Sequence, residues 1–313
     1  MSAANIAAPG AGIGRSANRG VMAAMRESSA VAILVVVAAI VVVWYAAAIW
    51  LNSTWQFQVF GRSDEAWTWA DFVAGTMSQD RPLLPAPHQV AVELWNSVAG
   101  QHVTSRRSLV YHAWITLSAT LLGFLMGTVL GILLAVAIVH NRAMDKSLMP
   151  WVIASQTIPI LAIAPMIVVV LASVGMTGLV PKSLISTYLS FFPVVVGMVK
   201  GFRSPDAMQL DLMRTYNASR GQTFWKLRLP ASLPFLFASM KVGVAASLVG
   251  AIVGELPTGA AGGLGARLLA GSYYGQTVQI WSALFMAAAL SATLILAIGV
   301  VQRIVLARTG ARA

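Results

Sequence analysis

The chain has 313 residues, of which 58% are hydrophobic and only 10% charged, against roughly 25% charged in soluble domains. So few charges cannot cover a globule of this size, which excludes an ordinary cytosolic enzyme. The excess of 21 Lys+Arg over 10 Asp+Glu fits either a nucleic-acid partner or loops sorted across a bilayer. The absence of Cys rules out disulfides, thiolate nucleophiles and Cys-ligated metals.

Residues 1–29, rich in Ala, Gly and Ser, read as a disordered cytoplasmic tail. Its Gly10, Gly12 and Gly14 form no dinucleotide fingerprint, because no strand precedes them and the spacing is wrong. A membrane-spanning helix needs about 20 mostly apolar residues. The charge-free stretch 30–51 meets that requirement and is too long for the apolar core of a signal peptide. Residues 52–112 read as an external loop with an interfacial helix. It holds Trp55, Trp67, Trp69 and Trp95, whose amphipathic rings suit the membrane interface or a docking protein.

Residues 113–303 read as the core, with a second span at 113–139. Gly123, Gly127 and Gly131 follow Ala119 at i+4 spacing there, and such a small-residue stripe lets helix backbones approach closely in lipid. The third span, 148–173, contains Pro150, Pro159 and Pro165. Beside Pro159 stand Ser155, Gln156 and Thr157, read either as polar glue between helices or as lining for a polar solute. A fourth span covers 183–199 with Pro193. The fifth, 232–254, repeats the small stripe with Gly243, Ser247, Gly250 and Gly254 and carries Lys241. An intramembrane Lys is costly and a candidate for function, although its long stem also permits snorkelling to the interface. Glu255 ends this span at the outer face, where solvent would satisfy it. The sixth span is 280–301, with a short cytoplasmic tail at 304–313.

Six spans place both termini on one side. With the N-terminus inside, the inner segments hold fourteen positive charges and the outer segments six, which predicts cytoplasmic termini. The charge excess therefore belongs to topology. No catalytic, cofactor or metal site is legible: the four His are scattered, and no phosphate-binding G-x-x-x-x-G-K-[ST] motif exists. A membrane-embedded enzyme is disfavoured for the same reason. A stand-alone secondary transporter or channel is the other alternative, disfavoured because no inverted repeat or midplane carboxylates are evident.

The segment 204–230 between spans four and five carries the most information. Asp206 to Tyr216 has helical character, with Asp206 favouring the positive end of the dipole. Asn217 suits a left-handed C′ position, and Gly221 adds a second flexible point. A short helix through Phe224 and Trp225 is expected to end at Leu229-Pro230.

This segment resembles the cytoplasmic E-A-A loop of ABC-importer permeases, in the branch for nitrate, sulfonate, taurine and bicarbonate. Asp211 stands at the Glu position and Leu212-Met213 at the two Ala positions. Asn217 stands at the Gly position, followed by Ala218-Ser219 as the pattern expects. Leu229-Pro230-Ala231-Ser232-Leu233-Pro234 resembles the motif's ending. Leu84-Pro85-Ala86-Pro87, Phe191-Phe192-Pro193, Gly254-Glu255 and Gly263-Leu264-Gly265 resemble further runs of the branch, in order. The resemblance implies an all-α polytopic bundle of about six helices, like a type I importer permease, in a bacterial inner membrane. It implies a dimer of two copies or of two related permeases, cytoplasmic ATPase subunits and an external solute-binding protein. ATP would be hydrolysed on the partner. By the same resemblance, Asp211, Leu212, Met213, Asn217, Ala218, Ser219, Gly221, Leu229 and Pro230 couple to the ATPase, with Asp211 and the Asn217 turn central. Ser155, Gln156, Thr157, Pro159, Lys241 and Glu255 are assigned to the translocation path of a small polar solute such as nitrate, a sulfonate or taurine.

Overall fold

A computed structural model describes residues 29–62, 66–257 and 262–309. The expected N-terminal tail, with its three glycines, lies outside them apart from Ser29. Every regular element among the described residues is helical. Five helical runs are long and apolar enough to cross a membrane, and a bent pair raises that to six.

The chain forms two compact units, 1–89 and 90–313. In the first, α1 (Ser29–Phe60) continues past Leu51 to Phe60, since Asn52, Ser53 and Thr54 interrupt the apolar run without breaking helical backbone. Helix α2 (Trp69–Met77) starts at a Thr68–Asp71 capping box. Phe57 and Phe60 pack on Trp67, and Phe72 on Trp67 and Trp69. The external segment is therefore largely helical.

Asn52 is the polar centre of this unit and is fully buried. Its side-chain amide donates to the carbonyls of Thr76 (3.1 Å) and Leu84 (2.9 Å). Its oxygen accepts from the backbone N–H groups of Leu83 and Leu84. The Trp44 indole donates to the Pro85 carbonyl at 3.0 Å. The Leu84-Pro85-Ala86-Pro87 run is thus held by its backbone, which prolines leave rich in acceptors and poor in donors. Helix α3 (Pro87–Val98) follows.

In the second unit, α4 (Leu109–His140), α7 (Leu179–Phe202) and α10 (Leu229–Glu255) form the tightly packed centre. The small stripes explain the approach. A Cβ added at Gly131 would lie 2.8 Å from the Val194 Cβ, and one at Gly250 would lie 2.7 Å from the Ser186 Cα. At this separation serine hydroxyls reach the backbone of the neighbouring helix: Ser186 Oγ donates to the Ser247 carbonyl at 2.9 Å, and Ser247 Oγ to the Thr120 carbonyl at 2.8 Å. Lipid supplies no hydrophobic drive between helices, so close contact and these bonds hold the trio. Helix α11 (Leu264–Tyr274) and the long α12 (Thr277–Thr309) complete the unit; α12 runs through most of the expected C-terminal tail.

Two spans differ from expectation. The third is not one helix: α5 (Arg142–Ser155) and α6 (Ile160–Ser173) meet at a 97° bend. Pro159 has no N–H to continue the ladder and biases Ile158 away from helical backbone. The fifth is longer than expected. The helix through Phe224 does not stop at Leu229-Pro230 but runs unbroken from Arg220 to Glu255. A π turn at Phe224–Arg228 makes this possible, with the Leu229 N–H donating to the Phe224 carbonyl. The wider turn absorbs the i−4 position where the Pro230 ring would otherwise clash.

Candidate functional site

Two sites stand at opposite ends of α10. The first is built from residues 204–230. Asp206 is the N-cap of α8 (Ala207–Thr215), its carboxylate accepting from Gln209 N at 2.8 Å while the Gln209 side chain accepts from Asp206 N. Tyr216 is the C-cap, and Asn217 follows at φ +50°. Asn217 N–H donates to the Arg214 carbonyl and Ala218 N–H to the Met213 carbonyl. This pair of bonds is a Schellman motif, which needs a left-handed residue at C′. Asn217 is the only non-glycine with positive φ among the described residues. Ser219 then caps α9 (Arg220–Thr223) through a second box with Gln222. Gly221 is therefore helical, not a flexible point.

Short helices closed by their own side chains need little support, and α8 has no fully buried residue. Met208, Leu212 and Tyr216 lie 83%, 56% and 77% exposed, at i, i+4 and i+8, which places them on one face. Asp211 pairs with Arg214 at 2.9 Å on the exposed surface, where such pairs contribute little. Met208 and Tyr216 carry the face together with Leu212; their spacing is the signal that a motif comparison passes over.

Phe224 joins this element to the bundle. Its buried ring lies 5.2 Å from Phe202 and 5.0 Å from His140 between centroids. It belongs to a core with Ile138, Val152, Val195 and Val199, against which Leu229 also packs. Nearby, Arg203 pairs with Asp145 at 2.9 Å.

The second site closes the other end of α10. Glu255 is fully buried, which corrects the expectation that solvent would satisfy it. Its carboxylate accepts from the Gly265 N–H at 2.7 Å and from Thr116 Oγ1 at 2.9 Å. Lys182 Nζ stands 3.8 Å away and donates to the Gly262 carbonyl at 3.4 Å. The Leu264 N–H donates to Thr116 Oγ1, and the Gly263 N–H to His112 Nδ1 at 2.9 Å. Because Nδ1 accepts, the His112 proton sits on Nε2, facing the Arg106 carbonyl at 2.9 Å. Gly263 adopts φ +126°, and any side chain there would run into the Glu255 carboxyl group. Four helices, α4, α7, α10 and α11, are clasped around one carboxylate. Lys182, one residue before the expected start of the fourth span, thus lies inside α7 and not in an outer loop. On α11, burial lowers the pKa of the half-buried Arg267 while the charge of Glu93 opposes the shift.

The residues expected along a path do not converge. Ser155, Gln156, Thr157 and Pro159 occupy the α5–α6 bend, where the Tyr188 hydroxyl donates to the Ser155 carbonyl. Lys241 faces a groove against α12. Glu255 belongs to the clasp.

The profile of the family described as "Binding-protein-dependent transport system inner membrane component" matches residues 127–310. A riboflavin transport system permease protein from Chloroflexus aurantiacus is 30% identical over 222 residues, 71% of this chain and 79% of that protein. A formylaminopyrimidine transport permease protein from Halalkalibacterium halodurans is 31% identical over 184 residues, 58% and 68% of the respective chains. Among solved structures, the MetNI methionine ABC transporter in inward-facing conformations matches with a TM-score of 0.54 at 20% identity. That match covers 63% of this chain and 95% of the other, and it establishes likeness of fold.

Proposed function

This chain belongs to the inner membrane components of binding-protein-dependent transport systems, and we propose that it forms the path for a small polar solute in an ATP-driven importer. As a permease subunit it carries no ATP-binding site of its own; hydrolysis falls to a separate subunit. In this reading two permeases pair, as copies or relatives, in a bacterial inner membrane with cytoplasmic termini, and an external binding protein delivers the solute. The solute class spans small anions such as nitrate and sulfonates, and also heteroaromatic molecules of the kind the named relatives carry. A Lys182 charge spent on Glu255 leaves no buried anion site there, which favours a path selective by shape more than by charge.

The exposed face of Met208, Leu212 and Tyr216 on α8 supports this reading best. An apolar stripe on a self-capped helix wants a groove on another protein, and the ATPase would provide it. Asp211 would orient the helix, and the turn at Asn217, Ala218 and Ser219 would fix its angle to the π turn, Leu229 and Pro230. Closure of the ATPases would then move Phe224 and the helices packed on it as a rigid body. The α5–α6 bend, with Ser155, Gln156, Thr157 and Pro159, would line the path in this reading, since interrupted helices expose backbone polar groups where they line cavities.

Replacing Asn217 by Val tests the coupling role, because a β-branched residue at φ +50° is strongly disfavoured. Abolished ATP-dependent uptake with normal membrane insertion is the expected outcome. Unimpaired uptake would sink the assignment.

A further inference from the structure

Lys241 and Arg303 line one groove between α10 and α12, together with Gln302, Gly299, Leu296 and Val300. The Lys241 stem runs past Gly299, where an added Cβ would stand 3.9 Å from Cε and 4.0 Å from Nζ. The helices that form this groove offer these cations no acid. Helix α12 has no Asp or Glu, and α10 has only Glu255, committed to the clasp fourteen residues beyond Lys241. That separation is about 21 Å along a helix. The helices packed on α10 from the other side, α4 and α7, carry no acid either. No ion pair of Lys241 or Arg303 is found among the described residues. Two cations facing one groove beside an apolar wall favour an anion from outside the chain, because a cation held against lipid without a counter-charge is costly.

The groove also limits which anion fits. Leu296, Val300 and Ile304 lie 70%, 55% and 51% exposed at i, i+4 and i+8, a continuous apolar stripe on α12 running past Arg303. A ligand matching this surface has a negative head for Lys241 and Arg303, with Gln302 as a further hydrogen-bonding group, and apolar chains to lie along the stripe. We propose that the α10–α12 groove is a binding site for one anionic phospholipid, its phosphate held by Lys241 and Arg303 and its acyl chains by Leu296 and Val300. The site needs only the membrane-embedded fold. Its assignment to the inner leaflet, where anionic lipids meet basic pockets, rests on the orientation proposed above.

The test uses the full chain in nanodiscs of phosphatidylglycerol and phosphatidylcholine in equal amounts. Both leaflets are then alike, so an error in the proposed orientation leaves the outcome unaffected. Native mass spectrometry of the released protein counts the lipids retained. Phosphatidylglycerol is expected to be retained preferentially. Lys241→Met and Arg303→Met should each lower the phosphatidylglycerol-to-phosphatidylcholine ratio about fivefold, the effect of one cation near a lipid surface. Arg308→Met, off the groove, should change nothing, and Lys241→Arg should keep the preference. Gly299→Leu fills the space beside the Lys241 stem and should lower retention with both charges intact. Arg303 is exposed, so its variant folds whether or not Lys241→Met does. Equal retention of the two lipids by the unmodified chain overturns the proposal. So does a preference that survives both cation replacements, or a lipid displaced by millimolar inorganic phosphate.

Discussion

The two ends of α10 solve opposite problems. At Glu255, four helices converge on a carboxylate excluded from water, and every group around it is committed to a partner. At the other end, α8 satisfies its own termini through Asp206, Gln209 and the Asn217 turn, buries none of its residues fully, and is followed by Phe224, which enters the bundle core. The first arrangement tolerates no displacement, because moving any member leaves a buried charge or N–H unpaired. The second can move as a unit without breaking its internal bonds. The coupling role proposed for α8 needs both, a fixed end and a free one, and about 40 Å of continuous helix separates them here.

The contrast is broken most severely at the fixed end. Glu255→Ala leaves Lys182 buried without its counter-charge and removes the acceptor of the Gly265 N–H. Loss of one partner from a buried ion pair costs about 3–5 kcal/mol. Thermal unfolding of the purified protein should show a larger drop than for any other substitution, and Glu255→Gln, which keeps the shape and one acceptor oxygen, a smaller one. Equal stability of Glu255→Ala and the unmodified protein would mean that the clasp bears no strain.

The joint between α8 and the bundle comes next. Phe224→Ala empties a ring site between Phe202, His140 and Val199; such truncations cost about 3 kcal/mol or somewhat more. Uptake should fall further than stability does, since α8 would keep its fold but lose its hold on the helices. Parallel losses in unfolding temperature and in ATP-dependent uptake would reduce Phe224 to a packing residue.

The free end was far more legible in sequence than the fixed one. Asp206, Asn217 and Ser219 act on neighbours within a few residues, so their signals are local and readable. Glycines at i+4 spacing likewise announced the α4 face that meets α7. The clasp joins His112, Thr116, Lys182 and Glu255, which come from three helices with no common period. A lone Lys and a lone Glu near span ends each had an ordinary solvent reading, and only their pairing removes it. The same holds for Asn52, whose partners lie 24 to 32 residues away. The 97° bend was announced by Pro159, but a proline within an apolar run signals a kink or a full break equally well. Pro230 misled in the other sense, because a π turn is a backbone solution without a side-chain signature.

The smallest effect on stability belongs to the face of α8. Met208→Ser combined with Leu212→Ser changes two side chains that are 83% and 56% exposed. Exposed substitutions of this kind shift stability by about 0.5 kcal/mol or less. The unfolding temperature should therefore stay where it is, while affinity for the ATPase subunit falls, since helix-in-groove contacts are carried by the i and i+4 anchors. This variant separates the two ends most sharply. The clasp variant loses stability first and function as a consequence, whereas the α8 variant loses its partner with the fold intact. Co-purification of the ATPase with the double variant at the unmodified level would show that α8 is not the surface through which force enters.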